Sequence, residues 1–434
     1  MTGDQYTTVV PSAGRLMVSL RDIGYEVPSA VADLVDNAID ANAKSIAIDI
    51  VADGGESWIR VTDDGFGISR AELDEAMRYG TQAAYAPRAL GHFGLGLKTA
   101  SLSQCRRLTV ASRPLHGTRI AVRRWDLDVV LARNSWDLEH PRVADCPSRL
   151  VGPLSDGSHG TVVFWEKLDR VIPPRPTDAM TERVLRKVTD DVREHLAMVF
   201  HRFLDGEAYN WRERISIRVN DEPLKAWDPF ARSEAHTRTL PLQRLEYTEA
   251  DGREIVTEVQ PYVLPGQQFF SSPDAHRTAA GPARWNRHQG FYVFRRDRLI
   301  QAGGWNRLRT LDEHAKLARI AVDLPLGEEH RFAVDVAKMR VSIPEDLRAG
   351  LRAVASAAVA VAQESYRDHL DANVAATPDP SEKPSAEAIS ISRDWPAIMS
   401  AVDRVLGEDM ELRDRLLLEL ANADPDDATL LGRE

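Results

Sequence analysis

The chain has 434 residues, 43% of them hydrophobic and 28% charged, with a formal net charge of -11. At about 150 residues per domain the length calls for two or three domains. The acidic balance argues against a generally basic nucleic-acid coat, although a local basic patch is compatible with it.

No apolar run approaches the roughly 20 residues that span a bilayer. The segment Met1 to Pro11 is polar and lacks the apolar core of a signal peptide, so a cytoplasmic location is expected. The two cysteines, Cys105 and Cys146, are too few for a disulfide framework and lie in no CxxC or Cys/His cluster. Cys105 ends an apolar segment, and a buried thiol is expected there.

Residues 15–27 read as a short amphipathic lead-in. A helix follows from Pro28 to about Ala41, with Val31, Leu34, Val35, Ala38 and Ile39 at helical spacing. Ser45 to Ala52 and Trp58 to Thr62 read as a hairpin around Asp53-Gly54-Gly55. Ser69 with Glu72 has the capping-box pattern for a helix from about Arg70 to Arg78. A loop runs from Gly80 to about His92, and a helix is expected near Gly94. Strands are expected at 108–112, 118–123 and 161–165, and one or two helices at 178–204. A second unit opens near Arg214, with strands at 215–219, 255–263, 290–294 and 318–323 and a long alanine-rich helix from Pro344 to about Leu370. Residues 374–389 read as a linker and 390–434 as a small helical element with an acidic tail.

Four segments carry residues suited to a nucleotide. On the first helix Asp33 and Asn37 share one face and Asp40 follows, a set that can orient a water and ligate Mg²⁺. The same set, taken alone, fits an ordinary solvated face. In TDDGFGIS, Asp63 closes a strand and can accept from an exocyclic amine, while Gly65 and Gly67 permit tight turns. An ordinary strand-to-helix turn is the alternative. In GHFGLGLKTAS, Gly91, Gly94, Leu95 and Gly96 lead into a helix carrying Lys98 and Thr99, where free N–H groups and a cation can meet phosphate. It does not match the GxxxxGK[ST] loop. In HGTVVFW, the Thr161 hydroxyl can support an adenine-binding carboxylate.

In this order the four segments resemble a GHKL ATPase, the superfamily of gyrase B, Hsp90, histidine kinases and MutL. SLRDIGYEVPSAVADLVDNAIDA and GHFGLGLKTASLSQ look most like bacterial MORC-type relatives. The resemblance covers roughly residues 15–170, with the ATP lid at about 79–93. It implies an α+β chain: a Bergerat-type ATP-binding α/β sandwich at 1–205, then a transducer, ribosomal S5-like α/β domain at 206–373. VNDEPLKAWDPF and GFYVFRRDRLIQAGGW look like that transducer. FAVDVAKMRVSIP is similar to the family loop whose lysine, here Lys338, reaches the γ-phosphate; a surface lysine is the alternative.

The resemblance implies ATP and Mg²⁺ as cofactors. Asn37 would be the metal ligand, Asp33 the general base, and Asp63 and Thr161 the adenine contacts. The family usually has Glu where Asp33 stands, and the shorter side chain fits slow hydrolysis. The relatives imply an ATP-dependent homodimeric clamp acting on DNA or in a defence or restriction-linked system, with a separately encoded nuclease or helicase as partner. A conformational switch that binds ATP and barely hydrolyses it is the second reading. A histidine-kinase role is disfavoured, because no helix with a phospho-accepting His precedes Asp33. A nucleic-acid surface could come from Arg277, Arg284, Arg287, Arg295, Arg296, Arg298, Arg307 and Arg309 with Trp285, Tyr292 and Trp305 among them. A transducer strand with ordinary surface arginines is the alternative.

Overall fold

Helix α1 (Ala13–Arg21) begins at Ser12, whose side chain accepts from the Arg15 N–H. Helix α2 (Val27–Asp40) starts with Pro28 in its first turn and buries most of its length. Strands β1 (Ser45–Val51) and β2 (Trp58–Asp63) form the expected antiparallel hairpin. In β1, Ile46, Ile48 and Ile50 turn inward in strict alternation. Helix α3 (Arg70–Ala76) carries the complete capping box of Ser69 and Glu72. Helix α4 (Gly96–Leu102), strands β3 (Arg107–Arg113) and β4 (Ala121–Asp126), and the short helices α5 (Leu127–Arg133) and α6 (Ser148–Val151) follow. Strand β5 (Gly160–Glu166) is buried on both faces, so its apolar run does not alternate. Helices α7 (Asp178–Val199) and α8 (His201–Asp205) end this stretch.

Strands β6 (Ser216–Val219) and β7 (Glu222–Pro223) then return to the first sheet, where β6 runs parallel to β1. The seven-stranded order is β4-β3-β5-β2-β1-β6-β7. Helices α2, α4 and α7 pack together on one face of this sheet. The other face carries a smaller core of Ala111, Val122, Leu150, Leu154, Val162 and Phe164.

The second sheet contains β8 (Arg238–Thr239), β9 (Gln243–Thr248), β10 (Glu254–Val263), β11 (Gly290–Arg295), β12 (Arg298–Ala302) and β13 (Ala318–Asp323). Its order is β12-β11-β13-β10-β8, with β9 also on β10. Between β10 and β11 lie α9 (Pro273–Ala280) and α10 (Arg284–Arg287). The alanine-rich α11 (Glu345–Ala375) lays Leu347, Leu351, Val354, Ala358 and Ala362 on one face of this sheet. Phe230, Tyr292, Phe294 and Leu299 cover the opposite face and meet Met198 of α7.

The molecule is thus α+β, an α/β sandwich followed by a second mixed sheet with its own helices. Contacts group Met1–Asp371 together, and the sequence-based boundary at 205/206 lies inside that unit. The structure is a computed structural model that describes residues 9–22, 24–80, 90, 96–209, 211, 213–248, 252–282, 284–328, 331–332 and 341–375, with side chains described to residue 365. The tail expected at 390–434, and the linker beyond the end of α11, fall outside these residues. No described helix is long and apolar enough to cross a membrane. Cys105 is buried, as expected from its apolar surroundings, and burial pushes its thiol pKa well up.

Candidate nucleotide site

Helix α2 sets out its polar residues on two faces. Asp33 is only 3% exposed and Asp36 is fully buried, whereas Asn37 and Asp40 are exposed. The Tyr25 hydroxyl donates to Asp33 Oδ2 at 2.9 Å. Gly96, the first residue of α4, faces the same carboxylate: a Cβ there would lie 3.5 Å from Asp33 Oδ2. The N-terminus of α4 and the acidic face of α2 are therefore neighbours, and α2 and α4 pack directly together. Asp40 accepts the Leu90 N–H at 2.7 Å.

The second cluster forms where three strands meet. Asp63 at the end of β2 stands opposite Thr161 on β5, and Thr161 stands opposite Ser112 on β3. Asp63 accepts from the Gly65 N–H at 2.9 Å and from the backbone of Thr161. Burial outweighs those bonds and pushes the Asp63 pKa up to about 6. The Ser112 hydroxyl donates to Gly160 O at 2.9 Å, lies 2.9 Å from Thr161 Oγ1, and accepts the Ile68 N–H at 2.8 Å. The glycines here are packing requirements. A Cβ on Gly160, at φ +130°, would sit 2.0 Å from Asp63 O; one on Gly67, at φ +66°, would sit 2.0 Å from Arg113 O. Gly65 is closed in likewise by Ala41.

Lys98, expected from its place after a glycine-rich run to add positive charge beside phosphate, lies inside the fold. It is 2% exposed, and its ammonium donates to Ala76 O at the end of α3, at 2.8 Å, with the Tyr79 ring 6.0 Å away. Burial lowers its pKa to about 8. Thr99 is buried as well. Gly91, Gly94, Leu95 and Lys338 lie outside the described residues.

The arginine cluster does not form one surface. Arg277, Arg284, Arg287 and Arg307 are exposed, and Arg296 and Arg309 are half-buried. Arg295 and Arg298 are 3% and 2% exposed, and Tyr292 and Trp305 are buried in the core of the second half. Burying an unpaired guanidinium is costly, and both find partners in the nucleotide half. Arg295 donates to Leu90 O at 2.9 Å, and Arg298 Nε donates to Asp36 Oδ1 at 2.8 Å. Sequence reasoning misses Tyr25, Asp36 and Ser112, because their roles arise from packing across the fold and leave no local spacing signal.

Known proteins match the same segment. The family described as histidine kinase-, DNA gyrase B-, and HSP90-like ATPase matches residues 25–161. ATPase morc-1 of Caenorhabditis elegans is 35% identical over 85 residues, which is 20% of this chain and 10% of that protein. DNA mismatch repair protein MutL of Actinobacillus succinogenes is 41% identical over 90 residues, 20% of this chain and 14% of that one. MutL of Acidiphilium cryptum is 44% identical over 92 residues, 20% of this chain and 15% of that one. The chain therefore spans only a small part of these relatives. Residues 25–161 thus match the GHKL superfamily of histidine kinase-, DNA gyrase B- and HSP90-like ATPases, and the same stretch is similar to its MORC and MutL members.

Proposed function

We propose that the chain is a Mg²⁺-dependent ATP hydrolase. The observation that carries this reading is the apposition of the α4 N-terminus at Gly96 to the Asp33 carboxylate, one helical turn from the exposed Asn37. Phosphate oxygens at the N-terminus of α4 would lie beside a carboxylate able to take a proton from water. In the proposed step the water oxygen attacks the γ-phosphorus, the bond to the ADP oxygen breaks, and the water's proton passes to Asp33. Asn37 suits Mg²⁺, which keeps waters and substrate phosphates and needs few protein ligands. When bound, Mg²⁺ supplies charge compensation on the phosphates. Asp63, backed by Thr161 and Ser112, takes the adenine amine, while Gly65 and Gly67 let the backbone come close. The segment with Gly91, Gly94 and Leu95 completes the phosphate side, and Lys338 senses the γ-phosphate.

The names of the relatives, an ATPase and DNA mismatch repair proteins, support an ATP-gated homodimeric clamp on DNA. A defence or restriction-linked role with a separate nuclease or helicase is the corresponding cellular setting, and the cytoplasm its compartment. The proposed division of labour gives residues 1–205 to the nucleotide and 206–373 to transduction. A second reading, an ATP-binding switch with little turnover, draws on the short Asp33 side chain being held by Tyr25.

Steady-state phosphate release separates the readings. Wild type should exceed Asp33→Ala by on the order of 100-fold or more, as for loss of a general base. Equal turnover in the two, with ATP still bound, would leave the switch.

A further inference from the structure

We propose that Arg298 is a positioning residue for hydrolysis, through which the second sheet sets the orientation of the Asp33 carboxylate. The inference rests on Asp33 being the base.

A carboxylate at the end of an Asp side chain turns about a broad, roughly two-fold torsion, so its direction is fixed from outside. The two Asp33 oxygens are approached by different elements. Tyr25 donates to Oδ2 at 2.9 Å from the segment before α2. The Arg298 guanidinium stands 3.9 Å from Oδ1, from the start of β12. Arg298 is itself anchored by the 2.8 Å bond from Nε to Asp36 Oδ1. Asp33 and Asp36 are three apart on α2 and share a face, so one guanidinium spans both. All three groups are at most 3% exposed, where charge–charge interaction is weakly screened.

The delivering element is stiff. Arg295 and Arg298 flank a two-residue turn, Arg296-Asp297, in which both residues have positive φ. That is the geometry of a tight hairpin whose twist matches its strands. The turn is tied to α8, because Asp297 and Asp323 both pair with Arg202. From the same hairpin Arg295 donates to Leu90 O, and the Leu90 N–H donates to Asp40. The hairpin thus grips α2 at Asp36 directly and at Asp40 through Leu90. A shift of the second sheet by a fraction of an ångström would be felt at Asp33 before it was felt at the exposed Asn37.

The test compares full-length wild type, Asp33→Ala, Arg298→Gln, Arg298→Lys and the double variant Arg298→Gln/Asp36→Asn. Turnover is measured by phosphate release, affinity by equilibrium binding of a fluorescent non-hydrolysable ATP analogue, and folding by thermal melting. Arg298→Gln should lose on the order of 100-fold in kcat, the scale of a small misplacement, with analogue affinity changed by no more than about threefold. Arg298→Lys should recover part of the rate. The double variant removes both buried charges and should melt near wild type, yet stay slow. Wild-type kcat in Arg298→Gln, or recovery of kcat in the double variant, would overturn the positioning role and leave a structural ion pair. Wild-type turnover no higher than Asp33→Ala would instead overturn the hydrolase reading, and the positioning role with it.

Discussion

The hydroxyls of Ser112 and Thr161 lie 2.9 Å apart on adjacent strands, with Thr161 opposite Asp63 in the strand register. Ser112 also receives the Ile68 N–H and donates to Gly160 O, so one buried hydroxyl ties three chain segments at the proposed adenine floor. Ser112→Ala leaves the Ile68 N–H and the Thr161 hydroxyl without this partner. Stability should fall by about 1–3 kcal/mol, read as a lower denaturant midpoint with unchanged slope. Adenine-nucleotide affinity should fall with it, and an unchanged affinity would separate Ser112 from the floor.

Asp63 sets a pH dependence whose sign is fixed by its raised pKa of about 6. Its unfolded-state pKa is near the ordinary value of 3.8, so across pH 4 to 6 the folded state holds a proton that the unfolded state has released. The Asp63 contribution to stability is therefore present below about pH 4 and is lost as pH rises through 6. Asp63→Asn should abolish this component and be relatively most stabilising at neutral pH in the nucleotide-free protein. Adenine-nucleotide affinity should run the other way, weakening below pH 6 as the acceptor is protonated. Unfolding curves and nucleotide titrations at pH 4.5, 6 and 7.5 would check both signs.

Gly160 offers a steric test of how the floor is built. Gly160→Ala combines a positive φ with a Cβ overlapping the Asp63 carbonyl. It should cost at least about 2 kcal/mol, because strain and overpacking add. Gly252, also at positive φ but with nothing among the described residues within 4 Å of its Cβ, should suffer less from the same change. A smaller loss at Gly160 than at Gly252 in parallel melts would show that the strand pairing gives way.

For the proposed DNA-binding surface, the exposed set is Arg277, Arg284, Arg287 and Arg307. Neutralising these four should weaken binding and flatten its salt dependence, by about 0.9 in the log–log slope for each phosphate no longer neutralised. Arg295→Gln and Arg298→Gln should not act through that slope, since both side chains are inside the protein. Equal slopes for wild type and the fourfold variant would remove this patch as the DNA-binding surface.

Local signals were the legible ones. The β1–β2 hairpin and the Ser69–Glu72 capping box follow from side chains a few positions apart, and both are present. Asp33 and Asn37 both fall on α2, but Asp33 is buried and Asn37 exposed, and the pairing of Asp63 with Thr161 had no local signal. What sequence could not supply was anything decided by distant partners. Arginine in a polar run reads as solvated, and the Asp36 carboxylate, 262 positions away, helps make Arg298 a core residue. Lys98 likewise follows a glycine-rich run that suggests phosphate, yet its ammonium is drawn to the carbonyl end of α3. Strand β12 is too short, and too polar in RLIQA, to declare itself without β11 beside it.

The pairing of β6 with β1 has a consequence for how the chain is made. Ser45 meets Ser216, and the Ile50 N–H is received by Asn220 from 170 positions downstream. A ribosome that has released every nucleotide-binding motif from Asp33 to Thr161 has still not delivered the strand that closes β1. Until it does, the nascent chain carries an open row of amide and carbonyl groups alongside apolar Ile46, Ile48 and Ile50, an invitation to pair with another chain. Fragments cut near residue 205 would inherit that edge permanently. They should aggregate where fragments ending beyond Pro223 stay dispersed.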